Sequence, residues 1–204
     1  AGDIYVGAFK ENQENGQGTY THTNGDQYIG AFKDGKRNGQ GIFKLASTGD
    51  IYEGDFKDGR QNGQGIYTFS NGDTYIGALI DDLFDGQGTY NHVNGDQYVG
   101  SFKHGKRAGN GRLTLAASGN TYEGDWRDDK QNGQGTYSYA NGDQYVGAFK
   151  NNKQNGQGVY SFANGDKYEG AFKFDRFNGQ GSYSYSDGST YVGAFKDGAQ
   201  TGKA

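Results

Sequence analysis

Three residue types are missing from this 204-residue chain, which has no cysteine, no proline and no methionine. Without cysteine there is no disulfide scaffold, no thiol nucleophile and no cysteine–zinc module. Long apolar runs are missing too: none approaches the roughly 18 residues that a membrane-crossing helix needs. The opening residues, Ala1-Gly2-Asp3-Ile4-Tyr5, lack both the charged and the apolar region of a signal peptide. With no initiator methionine, the chain is expected to be a processed product or a piece of something longer. The net charge of −4 carries no basic excess, so no nucleic-acid partner is expected. Branched aliphatics are scarce, and even with Phe added the Leu, Ile, Val and Phe residues number only 31, a proportion more usual in disordered chains.

What is present argues against disorder. The chain holds 39 Gly, 17 Tyr, 13 Phe and 1 Trp, and disordered chains are poor in rings. A core of rings and glycine is expected instead.

The glycines are periodic. Counted from the Gly before Asp-x-Tyr, repeats begin at Gly2, Gly25, Gly49, Gly72, Gly95, Gly119, Gly142, Gly165 and Gly188. One array is expected, with repeats 2–24, 25–48, 49–71, 72–94, 95–118, 119–141, 142–164 and 165–187 and a truncated ninth, 188–204. Position 4 is always tyrosine: Tyr5, Tyr28, Tyr52, Tyr75, Tyr98, Tyr122, Tyr145, Tyr168 and Tyr191. Positions 6 and 15 are always glycine, position 17 is glycine in eight repeats with Ala204 in the ninth, and the remaining glycines sit at positions 1 and 11.

Within a repeat the period is two, the signature of strands. Tyr5, Gly7 and Phe9 alternate with Val6, Ala8 and Lys10; after a polar stretch, Glu11 to Asn15, Gly16, Gly18, Tyr20 and His22 alternate with Gln17, Thr19 and Thr21. Asn24-Gly25 reads as the turn to the next repeat. The expected fold is all-β with essentially no helix: an elongated single-layer antiparallel meander of consecutive β-hairpins. Register follows from the rings, with Tyr5 opposite Tyr20, Gly7 opposite Gly18 and Phe9 opposite Gly16, because a one-residue slip would scatter them to both faces. Repeats 2 and 5 are one residue longer, at Leu45–Gly49 and Leu115–Gly119. A bulge or a wider turn is expected there.

Catalytic motifs do not stand out. Gly30–Lys36 and Gly100–Lys106 approach a phosphate-binding loop, but Arg37 and Arg107 follow where a magnesium-binding Ser or Thr belongs. The three histidines, His22, His92 and His104, are too far apart to share a metal, and His22 and His92 fall at an aromatic position. No enzyme activity, no cofactor and no metal site is expected.

A unit such as Gly25–Phe43, GDQYIGAFKDGKRNGQGIF, resembles the MORN (membrane occupation and recognition nexus) repeat, and the resemblance runs the length of the chain. Departures are small: Phe stands at position 8 except for Leu79 and Trp126, where members often have Trp, and position 14 is mostly Asn where they have His. The resemblance implies a stack of hairpins used for protein interaction, scaffolding or contact with phospholipid headgroups, in a peripheral-membrane or cytoskeletal setting. The residues alone leave an extracellular filament open and name no compartment.

The expected function is a non-catalytic interaction or scaffold module whose partner is another protein or a second copy. Candidate contact residues are apolar where other repeats are charged or polar: Leu79, Ile80, Leu83 and Phe84 in repeat 4, Phe174 and Phe177 in repeat 8. A first alternative is binding of acidic headgroups by a basic ladder at position 9, Lys10, Lys33, Lys57, Lys103, Arg127, Lys150, Lys173 and Lys196. Its counterweight is local pairing with acids such as Asp34, Asp58, Asp128 and Asp129. A filament subunit with self-pairing ends is a second alternative. A sugar platform of Tyr rings with Gln17, Gln40 and Gln64 is a weaker third.

Overall fold

The computed structural model describes residues 2–202, so the end of the ninth repeat, Lys203 and Ala204, lies outside the described residues. The described residues form 18 strands and no helix. They divide after Gly105 into two compact halves, each a nine-stranded antiparallel meander. Every complete repeat supplies a seven-residue strand and a nine-residue strand, Ile4–Lys10 and Gln13–Thr21 in the first.

The expected register holds at Tyr5↔Tyr20 and Gly7↔Gly18 and then breaks. Phe9 pairs with Glu14 instead of Gly16, because a bulge between Gly7 and Phe9 takes up two extra residues of the longer strand. Gly16 instead faces Phe32 of the following repeat. The same shift recurs in repeats 2, 3, 4, 6, 7 and 8. Each Phe therefore lies on the glycine of the preceding repeat, which couples neighbours. Phe32 is 6% exposed under this arrangement, whereas Phe9 is 61% exposed.

The two kinds of connection also differ from the expectation. Inside a repeat the polar stretch shrinks to a two-residue turn: Lys10 pairs with Gln13, and Glu11 and Asn12 have φ of 51° and 60°. Positive φ at both central residues is the type I′ geometry that matches strand twist. Between repeats, Thr21 pairs with Gln27, so Asn24-Gly25 belongs to a five-residue connection in which only Gly25 has positive φ. There His22 N–H donates to the Asp26 carbonyl and Gly25 N–H to the His22 carbonyl. In repeats 2 and 5 the extra residue makes a wider turn, with Gly49 N–H reaching the Leu45 carbonyl and Gly119 N–H the Leu115 carbonyl, both at 2.8 Å. Register on both sides is kept: Lys44 pairs with Ile51 as Thr21 pairs with Gln27.

Candidate functional site

The ring-bearing face is the core. Tyr28, Tyr52, Tyr75, Tyr145 and Tyr168 are fully buried and Tyr98 and Tyr122 nearly so, while the outer members Tyr5 and Tyr191 are half-buried. Each of the nine donates its hydroxyl to the backbone carbonyl three residues on, at 2.7–3.2 Å, and Tyr5, Tyr28, Tyr52, Tyr75, Tyr122, Tyr145 and Tyr168 each lie across two glycines. A Cβ on Gly41 would run into the Tyr28 ring, and one on Gly30 into the Gly41 backbone and the Tyr28 hydroxyl. Those two positions must be glycine for the ring to lie flat. Burial pushes the Tyr28 and Tyr75 phenols up to about 12. Edge-on ring pairs then link Tyr28 with Phe32 of its own repeat at 5.0 Å and with Phe56 of the next at 4.9 Å. These contacts hold the sheet with few aliphatics.

Asp at position 2 clamps the repeats that carry it, and Asn120 takes its place in repeat 6, accepting the Ala140 N–H at 2.9 Å. Asp73 accepts the Val93 N–H at 2.8 Å and the Tyr90 hydroxyl at 2.9 Å, and these bonds hold its carboxyl below the usual range. Asp143 and Asp166 repeat the arrangement with Ala163 and Tyr160, and with Ser186 and Tyr183. These carboxylates are structural clamps. Their role is missed in the sequence because the partner is a backbone N–H about twenty residues away.

The six apolar candidates separate. Leu79 is 1% exposed and fills the Phe position of the core. Phe84 stacks flat on Tyr75 at 3.7 Å and Phe177 on Tyr168 at 3.9 Å, so both are turned onto the ring face. Arg37 occupies the equivalent place in repeat 2, its guanidinium 4.7 Å from the Phe43 ring and 5.4 Å from Phe56. Ile80, Leu83 and Phe174 remain outside, at 51%, 48% and 65% exposure. Ile80 and Leu83 pair across the turn made by Asp81 and Asp82. Phe174 is the first central residue of its type I′ turn, with φ of 52°, where a bulky side chain is strained. An open depression beside it is lined by Lys173, Arg176, Asn178, Lys196 and Asp197. The two tips belong to different halves.

All eight residues of the basic ladder are exposed, and among the described residues none makes an ion pair. The pairing falls on their neighbours: Arg60 with Asp81 at 3.6 Å and Lys153 with Asp175 at 2.7 Å. Gln17, Gln40 and Gln64 stand on the opposite face from the rings, paired with Ala31, Asp55 and Ala78, so no Tyr–Gln platform is assembled. His22 and His92 each sit against an Asp, Asp3 at 3.4 Å and Asp73 at 3.3 Å. No group of three His, Asp or Glu among the described residues is placed to hold a metal, and no helix there is long and apolar enough to cross a membrane.

The family model described as MORN repeat matches residues 5–27, 28–49, 52–74, 75–97, 98–119, 122–144, 145–167 and 168–190. No curated protein matches the chain significantly. Among solved structures, the TCP10 domain of CPAP from Danio rerio is 14% identical with a TM-score of 0.49, covering 89% of this chain and 84% of that one. The G-box domain of the microcephaly protein CPAP is 11% identical with a TM-score of 0.47, over 96% and 100%. Virginiamycin B lyase from Staphylococcus aureus is 9% identical with a TM-score of 0.21, over 94% and 74%. Likeness at these levels says nothing about partner or activity.

Proposed function

This chain belongs to the MORN repeat family, and we propose that it is a non-catalytic protein-interaction scaffold that reads its partners with hairpin tips. The observation that carries the reading is Phe174, an exposed ring held at a strained positive φ and flanked by Lys173, Arg176 and Lys196. Other repeats place Asp, Asn or Glu, or the His of repeat 5, at this turn position. A strained exposed aromatic is retained at a cost in stability, and contact with a partner is the return. Ring and cations together fit an acidic segment that carries an apolar anchor. Ile80 and Leu83 form the second, purely apolar contact. Affinity capture from source cells with quantitative mass spectrometry tests the reading. A protein held by the wild type should be lost from a Leu83→Asn, Phe174→Asn double variant. A captured set indifferent to both tips sinks it. Sedimentation velocity over a wide concentration range shows whether a second copy is that partner.

A second reading rests on the unpaired ladder. Lys10, Lys33, Lys57, Lys103, Arg127, Lys150, Lys173 and Lys196 are exposed without a carboxylate partner, and each would contribute about 1 kcal/mol near a charged surface, Arg127 giving up its bond to Asn132. Co-sedimentation with phosphatidylserine vesicles that survives Lys→Ala changes along the ladder removes it.

A further inference from the structure

The ring face has a second row of aromatics that the core does not consume. In the second half it runs Tyr137, Tyr139, Tyr160, Phe162, Tyr183 and Tyr185, the first five half-buried and Tyr185 38% exposed. Successive centroids are 4.6, 5.8, 4.6, 5.8 and 4.6 Å apart, with planes inclined at 42–51° throughout. The row is therefore a regular zigzag that repeats once per hairpin. Its phenols are held in place: Tyr160 and Tyr183 donate to Asp143 and Asp166, while Tyr139 and Tyr185 accept from Gln154 and Gln200. Such a rail is rigid before any ligand arrives.

Two quantities select the ligand. One hairpin advances the rail by two strand spacings, about 9.4–9.8 Å. A polyproline II helix advances three residues in about 9.3 Å, with its backbone free of internal hydrogen bonds. Over three repeats the two stay in step to within about 1–2 Å. Charge supplies the second. The segments that carry and border the rail, residues 137–143, 160–166 and 183–189, contain Asp143, Asp166 and Asp187 and no Lys or Arg. All three carboxyls are held below their usual range by hydrogen bonds, so they are anionic at neutral pH.

We propose that the rail Tyr137–Tyr185 docks an extended, basic, proline-rich peptide with a three-residue period, laid across the strands with its prolines against the rings and its cations toward Asp143, Asp166 and Asp187. The proposal shares with the scaffold reading only the premise of a binding module, since the tips lie elsewhere.

Isothermal titration calorimetry of the whole chain with a capped peptide of four Lys-Pro-Pro triplets tests it. Binding is expected, with at least about tenfold loss for four Glu-Pro-Pro triplets, which keep the helix and reverse the charge, and for four Lys-Gly-Ser triplets, which keep the charge and lose the helix. A Tyr139→Ala, Tyr185→Ala double variant should weaken binding by the same margin. Tyr185→Ala alone, at the most exposed ring, serves if the double variant does not fold. Leu83→Asn and Phe174→Asn should bind as the wild type does. No binding of the Lys-Pro-Pro peptide overturns the proposal, as do equal binding of Lys-Gly-Ser, indifference to the rail variants, or binding of cellohexaose in its place. Any of these leaves the tip reading standing, and loss of tip-dependent capture leaves the rail standing.

Discussion

Tyr28 donates its hydroxyl to the Ala31 carbonyl at 2.9 Å while its ring lies on Gly30 and Gly41, leaving no room for a Cβ on either. Two demands meet in one side chain. The hydroxyl fixes the ring's direction, and the bare glycines give it somewhere to lie.

Gly41→Ala should therefore destabilise by about 3 kcal/mol, because a fully buried ring must leave its place. Gly59→Ala, at a turn with φ of 90° and open space around it, should cost only the conformational penalty of about 1–2 kcal/mol. Urea midpoints of the two variants compare the terms directly. Equal losses would mean that backbone conformation, and not ring packing, makes position 17 glycine.

Tyr28→Phe keeps the ring and leaves the Ala31 carbonyl without its donor, a loss of about 1–2 kcal/mol. Tyr28→Leu loses the edge-on contacts with Phe32 and Phe56 as well and should cost at least twice as much.

Alkali should unfold the protein through these phenols. The Tyr28 and Tyr75 phenols titrate at about 12 when folded, above the free value near 10, so folding favours the protonated form. Their contribution is complete below pH of about 10 and is lost as pH rises toward about 12. Tyrosinate absorbance and far-ultraviolet circular dichroism should change together in that window. Full ionisation with the fold intact would contradict it.

Acid should act on the clamps. The Asp73 carboxyl is lowered chiefly by the Val93 N–H, so its contribution is present above the free carboxylate value and disappears as pH falls through the lower folded one. Asp73→Ala leaves the Val93 N–H and the Tyr90 hydroxyl without their acceptor and should cost about 1–3 kcal/mol at neutral pH. The acid limb of the variant's stability profile should be correspondingly flatter.

Phe174→Asn should raise stability. Asn tolerates a φ of 52° where Phe is strained, and about 1 kcal/mol is expected from that relief. The same change should remove the partner contact proposed for the tip. A variant that is both less stable and fully competent in capture would contradict both statements.

Period two, the repeating glycines and the rings on one parity were enough to give the all-β meander, the Tyr5↔Tyr20 and Gly7↔Gly18 pairings and the ring face, because alternation is a property of the chain itself. Asp34-Gly35 and Asp58-Gly59 mark type I′ turns, a signal passed over in taking Asn24-Gly25 as the turn and the stretch inside the repeat as merely polar. Three things could be settled only in three dimensions. The bulge moves Phe9 off Gly16 and hands that glycine to Phe32, since two extra residues in the longer strand can be absorbed wherever the next repeat's ring needs a floor. Phe84 and Phe177 turn inward while Phe174 and Leu83 stay out, since which side of a hairpin a residue faces depends on that bulge. The rail itself arises from rings some twenty residues apart in the chain, brought within 5.8 Å only by stacking one repeat on the next.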